Sequence, residues 1–402
     1  MKNQALNHPK NQLDLPEPDS TAKEYSKKLV EVINTEIHEN DGIIGFDRFM
    51  DMALYEPGLG YYSAGARKFG IDGDFTTAPE ISPVFSYCIA RQCLEVFEIT
   101  GADRILELGA GSGAMACDLL SELKRFNALP AEYLILETSA DLKQRQYQTL
   151  KERQPEILER VKWLDTLPEE RFSGIILANE VLDAFPVHKI SVSDKKINEL
   201  KVTNENDCFG WEVDKDVDGI LISESYSRLE ACLDTLDDAY ITEVNLLIKP
   251  FLRSLSEILS TGAVLFVDYG YSRKEYYHPQ RSMGTLVCHY RHRSHDNPLI
   301  LVGCQDISAF VDFTSVAESA HEVGMDVHGY ISQTGFLISC GIEDIINSCR
   351  SDDEKLNLQI AQQAGKLMLP GEMGEKFKVM GLTRNITVPL KGFLGGNSVH
   401  RL

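Results

Sequence analysis

An apolar run, a glycine-rich turn and a helix-like run follow one another in RILELGAGSGAMACDLL, residues 104–120. Gly109, Gly111 and Gly113 stand at every second position, where they let the backbone approach a partner closely at φ values that other residues avoid. The helix that follows would present unpaired N–H groups and the positive end of its dipole. The stretch therefore predicts a ligand-binding loop or, alternatively, a tight strand-turn-helix packing device.

The alternation of strand-like and helix-like segments continues along the chain. Continuous apolar runs occur at YLILET, VKWLD, SGIILANEVLD and GAVLFVDYG, and helix-like segments precede or follow them. Apolar runs of this kind indicate a parallel sheet with helices on both faces, so the predicted fold class is α/β. A long helix is expected from about Thr242 to Ser260, and a late strand around EKFKVMGLTR is expected to close the sheet.

The expected organisation is a main domain preceded by an extension. We predict a disordered tail over residues 1–20, a helical and loop extension over 21–100 that covers the ligand site, and the main domain over 101–402. Insertions are expected at about 187–240, as short antiparallel strands, and at 271–312. The region 42–85 is dense in Gly, Pro and Tyr, which is typical of a functional loop.

Composition narrows the class of protein. Forty Lys and Arg against 61 Asp and Glu give a net charge of -21, which argues against binding to a nucleic-acid backbone. The acidic surface either favours a cationic ligand or peptide or only keeps the chain soluble. No apolar run reaches the roughly 20 residues of a spanning helix, and residues 1–20 show no presequence. Nine cysteines without a CxxC pair fit a reducing compartment, so a cytoplasmic location is expected.

The glycine motif differs from the common phosphate-binding loops. No Gly-Lys-Ser/Thr follows it, and its last glycine interval is one residue shorter than in the dinucleotide fingerprint G-x-G-x-x-G. Glu107 lies two residues before the first glycine, and a carboxylate there would repel phosphates and attract a cation. S-adenosylmethionine has an amino group and a sulfonium, and it carries no phosphate.

Polar residues at the ends of the next two strands suit an adenosine ligand. Glu137 could accept hydrogen bonds from both ribose hydroxyls, which would suit NAD equally well. Ser139 is assigned to the same cofactor site, although it also suits the N-cap of the next helix. Asp165 could bond the adenine amino group or simply initiate a turn.

The stretch LANEVLDAFP places polar groups where the fourth strand ends, at the switch point at which open α/β sheets bind ligands. Asn179 is assigned to the cofactor site. Glu180 and Asp183 are three residues apart, so one helical turn would put both carboxylates on one side. The alternative for Asp183 is a cap or turn residue.

A possible metal motif lies in CHYRHRSHD, with Cys288, His289, His292 and His295. Histidines spaced i, i+3, i+6 on a helix could hold zinc, but Arg291 and Arg293 crowd the segment with positive charge. A polar lid is therefore expected in this segment, and no metal is predicted.

Several motifs together resemble one family. GYYS, GDFTTAPEIS, ILELGAGSG, LANEVLDAFPVHK, VDYGY, GTLVCHYRHRSHD and QDISAFVDFT occur in order over about residues 21–395. They are similar to the MidA family of class I S-adenosylmethionine-dependent methyltransferases, which includes a mitochondrial assembly factor for respiratory complex I. The resemblance implies a Rossmann-like, mostly parallel sheet of seven strands with helices on both faces.

The same resemblance implies site residues and a substrate. Glu107 and the three glycines would line the methionine moiety, and Glu137 the ribose. The family-specific loop residues Thr76, Thr77, Pro79 and Glu80 would close over the cofactor or substrate. The implied activity is methylation of an arginine in a protein, with a respiratory-complex subunit as one candidate, and the chain would be a bacterial cytoplasmic relative.

Arginine methylation would be an in-line displacement on the sulfonium methyl group, to which the enzyme contributes orientation and electrostatics. Our hypothesis is that Glu180 is the principal carboxylate that binds the guanidinium and Asp183 the secondary one. Two alternatives stay open at this point. One is a non-catalytic assembly scaffold that retains the cofactor fold, and the other is an NAD(P)-dependent oxidoreductase.

Overall fold

The computed structural model describes residues 15–63, 76–206 and 208–402 of the chain. Most of the predicted tail, and the loop residues 64–75, lie outside the described residues; the first helix begins at Ser20. The chain divides into two compact units. The first comprises Met1–Phe75, Ala184–Leu247 and Arg273–Phe310, and the second comprises Thr76–Asp183, Ile248–Ser272 and Val311–Leu402. No helix in the described ranges has both the length and the apolar character needed to cross a membrane.

Helices occur in both units. They are α1 (Ser20–Glu39), α2 (Phe46–Tyr55), α3 (Ala78–Ile81), α4 (Pro83–Thr100), α5 (Ala114–Arg125), α6 (Ala140–Arg153), α7 (Gly219–Leu229), α8 (Ile248–Ile258), α9 (Arg273–Tyr276), α10 (Phe313–Glu322), α11 (Gln333–Ser339), α12 (Ile342–Cys349) and α13 (Glu354–Met368).

The strands form three sheets. They are β1 (Ile43–Gly45), β2 (Arg104–Leu108), β3 (Glu132–Leu136), β4 (Val161–Leu164), β5 (Phe172–Asn179), β6 (His188–Ser193), β7 (Lys196–Glu205), β8 (Cys208–Asp214), β9 (Tyr240–Val244), β10 (Leu259–Tyr271), β11 (Val287–Tyr290), β12 (Arg293–His295), β13 (Asp306–Ser308), β14 (Val311–Asp312), β15 (Asp326–Ser332) and β16 (Phe377–Arg384).

The second unit contains the large mixed sheet, in the order β15-β16-β10-β5-β2-β3-β4. Strands β4, β3, β2, β5 and β10 run parallel to one another, whereas β16 pairs antiparallel with both β10 and β15. The predicted late strand therefore does join the sheet. Within the described residues, seven strands form this path, and a short eighth strand, β14, pairs in parallel with β10.

Helices with apolar faces pack against the large sheet. In α5, Met115, Leu119, Leu120 and Leu123 are buried, and they share one core with α4 and with the central strands. The apolar runs predicted to be strands are buried because both faces of the parallel sheet are covered. The α/β prediction is confirmed.

The first unit contains two antiparallel sheets. One has the order β1-β7-β6-β9 with β8 paired to β7, and the other has the order β12-β11-β13. The expected antiparallel strands after residue 187 are therefore present. Our prediction of a helix from Thr242 to Ser260 is wrong in its first part, because Tyr240–Val244 is a fully buried strand that pairs with β6. The helix α8 begins only at Ile248 and ends at Ile258.

Candidate functional site

The strand register of the large sheet brings the predicted site residues to one edge. Leu108 of β2 is level with Leu136 of β3 and with Ala178 of β5, and Asn179 is level with Val267 of β10. The loops that follow these strands therefore begin side by side at the carboxyl ends of parallel strands. Open α/β sheets bind their ligands at this edge.

The glycine loop between β2 and α5 uses all three glycines in the left-handed region, with φ of 64° at Gly109, 54° at Gly111 and 83° at Gly113. Their surroundings differ. A Cβ atom at Gly111 would meet nothing within 4 Å, whereas one at Gly113 would lie 3.2 Å from Cα of Gln146 in α6. Gly113 therefore fits the packing alternative, and the space beside Gly111 is compatible with the predicted ligand-binding role, which stays a prediction.

Glu107 is a buried carboxyl group at the end of β2, only 1% exposed. The Tyr133 hydroxyl donates a hydrogen bond to Oε2 of Glu107 at 2.8 Å. Burial and, as a smaller effect, the charge of Glu137 raise the pKa of Glu107 to about 7, against the opposing effect of the Tyr133 hydrogen bond. A nearby cation would favour the ionised form of this carboxyl group.

Glu137, directly after β3, is oriented by two donors. The backbone N–H of Ser139 donates to its Oε1 at 2.9 Å, and Nε2 of Gln146 donates to its Oε2 at 3.0 Å. Burial raises the pKa of Glu137 as well. Ser139 is the N-cap of α6, since its hydroxyl accepts from the N–H of Leu142. The cap that we gave as the alternative for Ser139 is therefore present in the fold.

The described part of the family-specific segment contacts the glycine loop. The Ser112 hydroxyl, between Gly111 and Gly113, donates to Oε1 of Glu80 in α3. Thr76 is exposed, Thr77 is the N-cap residue of α3, and Pro79 is buried. This contact places the segment next to the glycines, as expected for residues that close over a ligand.

Asp165 follows β4, the edge strand of the sheet. Its side chain is 86% exposed and forms an ion pair with Lys143 of α6. The carboxylate of Asp165 is therefore exposed to solvent and not held in a buried pocket for an adenine amino group. The bend at this position agrees with the alternative of a turn residue.

The turn after β5 is not the helical turn that we expected for Glu180 and Asp183. Glu180 has φ of 54°, in the left-handed region, and residues 181–187 contain bends and turns but no helix. Nδ2 of Asn179 donates to Oε1 of Glu180 at 3.0 Å, while Oδ1 of Asn179 is buried and has no hydrogen-bond partner among the described residues. Asp183 is 5% exposed. The two acids share this turn, although helical spacing does not bring them together.

Sequence reasoning missed two polar residues at this edge. Gln146 of α6 contacts the glycine loop and Glu137 at once, donating to the carbonyl oxygen of Gly111 at 3.1 Å. Its Oε1 accepts from the indole N–H of Trp163 at 2.9 Å. Asp268 of β10 accepts backbone N–H groups from the turn after β5. The signals were a polar residue on the inward face of a helix and an acid in the VDYG stretch of a central strand.

The segment considered for a metal site folds as a hairpin. Cys288 in β11 pairs with His295 in β12, so the helical histidine spacing is absent. Within the described residues, the one group of three ligand atoms close enough to share a metal ion comes from Asp47, His188 and Glu199, in the first unit. Nδ1 of His188 lies 3.0 Å from Oε1 of Glu199, whose other oxygen is 3.6 Å from the ammonium of Lys201.

The chemistry of the large-sheet edge fits S-adenosylmethionine. Glu107 and Glu137 flank the glycine loop, so a pyrophosphate would meet two carboxyl groups, whereas a cationic ligand without phosphates would be attracted. Open space at Gly111 and the orphaned Oδ1 of Asn179 leave room and an acceptor for such a ligand. The strand order and this edge define the class I methyltransferase fold.

Comparison with known proteins agrees with this class. The family model Methyltransf_28, of S-adenosyl-L-methionine-dependent methyltransferases, matches residues 88–331, more than half of the chain. The chain belongs to this family of S-adenosylmethionine-dependent methyltransferases.

Solved and curated relatives extend the match over most of the chain. A crystal structure from Burkholderia thailandensis, bound to S-adenosyl-homocysteine, is 38% identical with a TM-score of 0.92 and covers 96% of this chain and 100% of its own. Protein arginine methyltransferase NDUFAF7, mitochondrial, of Danio rerio is 26% identical, over 84% of this chain and 82% of its own. The Drosophila melanogaster homolog is 28% identical, over 91% and 87%.

Proposed function

We propose that the chain transfers a methyl group from S-adenosylmethionine to a guanidino nitrogen of an arginine in a protein substrate. One observation carries the proposal: the turn with Glu180 and Asp183 follows β5 at the same sheet edge as the glycine loop after β2. Carboxylates are the partners that a guanidinium binds most strongly, and often bidentately. The relatives whose names specify protein arginine methyltransferase support the same substrate class.

The chain's own residues have three tasks in this reaction. The cofactor, when bound, supplies a methyl group on a positively charged sulfur. A guanidinium stays protonated at any relevant pH. The nitrogen that attacks must therefore be oriented so that its electron pair is available to the methyl group. Glu180, with Asp183 as the second carboxylate, would hold the positive charge on the other nitrogens and align the attacking one. Glu107 and Glu137 would orient the cofactor, and the segment Thr76–Glu80 would exclude water.

The test uses the purified protein, radiolabelled S-adenosylmethionine and a protein extract of cells that lack this gene. Acid hydrolysis of the labelled protein should release the label as methylarginine. Glu180→Gln should lower kcat/KM by roughly 10- to 100-fold, because a charged hydrogen bond of about 1.5–3 kcal/mol is lost. Gly111→Val serves as the cofactor-site control. Label in another amino acid, or full activity of Glu180→Gln, would refute the substrate or the residue assignment, respectively.

The location and the physiological partner follow from the same proposal. We infer a cytoplasmic enzyme of a bacterium that acts on a protein, with a respiratory-complex subunit as the first candidate. Fractionation of cells with an antibody against the chain, followed by capture of methylarginine peptides, tests both. A substrate outside the respiratory complexes would replace the partner and leave the chemistry intact.

A further inference from the structure

Four consecutive backbone N–H groups after β5 donate to two consecutive residues of β10. The N–H of Glu180 donates to the carbonyl oxygen of Val267 at 2.8 Å. The next three N–H groups, of residues 181–183, all donate to Oδ2 of Asp268, at 3.2, 2.9 and 3.3 Å. The end of β10 thus holds the complete turn that carries Glu180 and Asp183.

The turn needs such support because its first residue is strained. Glu180 lies at φ of 54°, and a residue with a side chain rarely adopts the left-handed region. Strained positions of this kind persist only where the surroundings over-determine them. Three donors that converge on one carboxylate oxygen fix the direction of the chain immediately after Glu180.

The hydrogen bonds described for Asp268 are all to backbone N–H groups. It is 1% exposed, and among the described residues its second oxygen, Oδ1, accepts the N–H of Tyr269, at 2.9 Å. Burial, and the charge of Glu180 nearby, raise the pKa of Asp268 against the effect of these hydrogen bonds. A buried acid next to another acid opposes folding. Because an apolar residue would avoid this cost, the four hydrogen bonds are the feature that explains an acid at this position.

We propose that Asp268 is a positioning residue for methyl transfer, which holds the 180–183 turn so that Glu180 and Asp183 present their carboxylates to the substrate. The proposal rests on the proposed function, because that function assigns the two acids to the substrate. Asp268 itself contacts the turn and not the reacting atoms. It acts through the backbone of the neighbouring strand.

Two variants of Asp268 remove different parts of the contact. Asp268→Asn keeps one oxygen acceptor and loses the other, and Asp268→Ala loses both. We expect kcat/KM for methyl transfer to fall in the order wild type, Asp268→Asn, Asp268→Ala, by at least about tenfold for Asp268→Asn, since small misplacements of reacting groups have such effects. The Kd of S-adenosylmethionine, measured by calorimetry, should change less than about threefold, as the assigned cofactor acids lie after other strands.

The matched control is Asp118→Asn. Asp118 is a buried acid of α5 in the same unit, and it forms an ion pair with Arg153 away from the turn. This variant should lose thermal stability without a change in kcat/KM. If Asp118→Asn lowers kcat/KM as much as Asp268→Asn, or if Asp268→Asn retains the wild-type value, the positioning role is refuted.

A second measurement does not depend on activity. Amide hydrogen exchange of residues 180–183 should be at least about tenfold faster in Asp268→Asn than in the wild type and unchanged in Asp118→Asn. Unchanged exchange in Asp268→Asn would overturn the proposal even if methyl transfer were impaired. If the wild type methylates no arginine but the exchange result is as expected, the proposed function fails and the role of Asp268 in holding the turn stands.

Discussion

Glu107 shows how one buried acid can select a ligand. Its carboxyl group is held by the Tyr133 hydroxyl at the base of the glycine loop, and burial raises its pKa to about 7. The ligand-free protein therefore holds a proton there over much of the acidic range, and a cationic ligand would displace it. A single residue thus makes the binding of a charged cofactor depend on pH.

The affinity for S-adenosylmethionine should therefore weaken by up to about tenfold per pH unit below 7, because binding favours the carboxylate. Calorimetric titration from pH 5.5 to 7.5, below the pH at which the amino group of the ligand loses its proton, measures this. Adenosine, which is neutral in this range, should show no such trend, and Glu107→Gln should abolish the trend for S-adenosylmethionine. Affinity that stays constant from pH 5.5 to 7.5 would mean that Glu107 is only a core residue.

Glu180 has a strained, left-handed backbone and is also the carboxylate that we assign to the substrate guanidinium. A left-handed backbone costs a residue with a side chain about 1–2 kcal/mol, and glycine avoids this cost but loses about 0.5–1 kcal/mol through its freedom in the unfolded chain. We expect Glu180→Gly to have a free energy of unfolding about 0.5–1 kcal/mol higher than that of Glu180→Ala. Both variants lack the carboxylate and should be inactive. Equal stability of the two in urea denaturation would contradict strain at this position.

At the scale of the elements, the glycine loop and α6 are held together by direct contacts of Gln146. Gln146 of α6 bonds the carbonyl oxygen of Gly111 and the carboxylate of Glu137, and its Cα faces Gly113. The helix therefore fixes the loop as well as the acid that follows β3. Packing and ligand binding are assigned to different glycines of the same motif.

This division predicts opposite effects of two similar substitutions. Gly113→Ala places a Cβ atom 3.2 Å from Cα of Gln146 at φ of 83°, so it should destabilise the fold by more than the roughly 1–2 kcal/mol of left-handed strain. Gly111→Ala should cost only that strain but weaken S-adenosylmethionine binding more than Gly113→Ala does. Urea denaturation and calorimetry of both variants test this. The reverse ranking in either measurement would contradict it.

Sequence patterns predicted the buried central strands best. They failed where contacts with residues far away in the chain determine the secondary structure or the role of a residue. The apolar run at 262–270 predicts a strand because both faces of the parallel sheet are covered, and β10 includes it. The segment from Thr242 was misassigned because its pairing with β6 depends on residues about 50 positions earlier in the chain. Asp268 was missed for the same reason: its partners, residues 181–183, belong to another strand end.

Considering the complete chain, the predicted site residues all lie in the second of the two units, which contains the large sheet. The first unit has its own core, formed by α1, α2 and residues from its two antiparallel sheets. Cofactor binding and the structure of the first unit are therefore separable in experiments.

Amide hydrogen exchange with and without S-adenosylmethionine should show this separation. We expect added protection to concentrate in residues 104–113 and 136–146 of the second unit, because binding stabilises the state that holds the ligand. Strands β6 and β7 of the first unit should exchange at unchanged rates. Protection of equal size in both units would contradict a cofactor site built from the second unit alone.

Arginine methylation in living cells decides whether the chain is the enzyme that we propose. Methylarginine peptides should be compared by quantitative mass spectrometry in cells with the gene, without it, and with the Glu180→Gln variant at equal protein level. The account predicts at least one methylarginine peptide that disappears on deletion, returns to its full level with the wild-type gene and stays far below that level with Glu180→Gln. Identical methylarginine peptides in all three strains would contradict it.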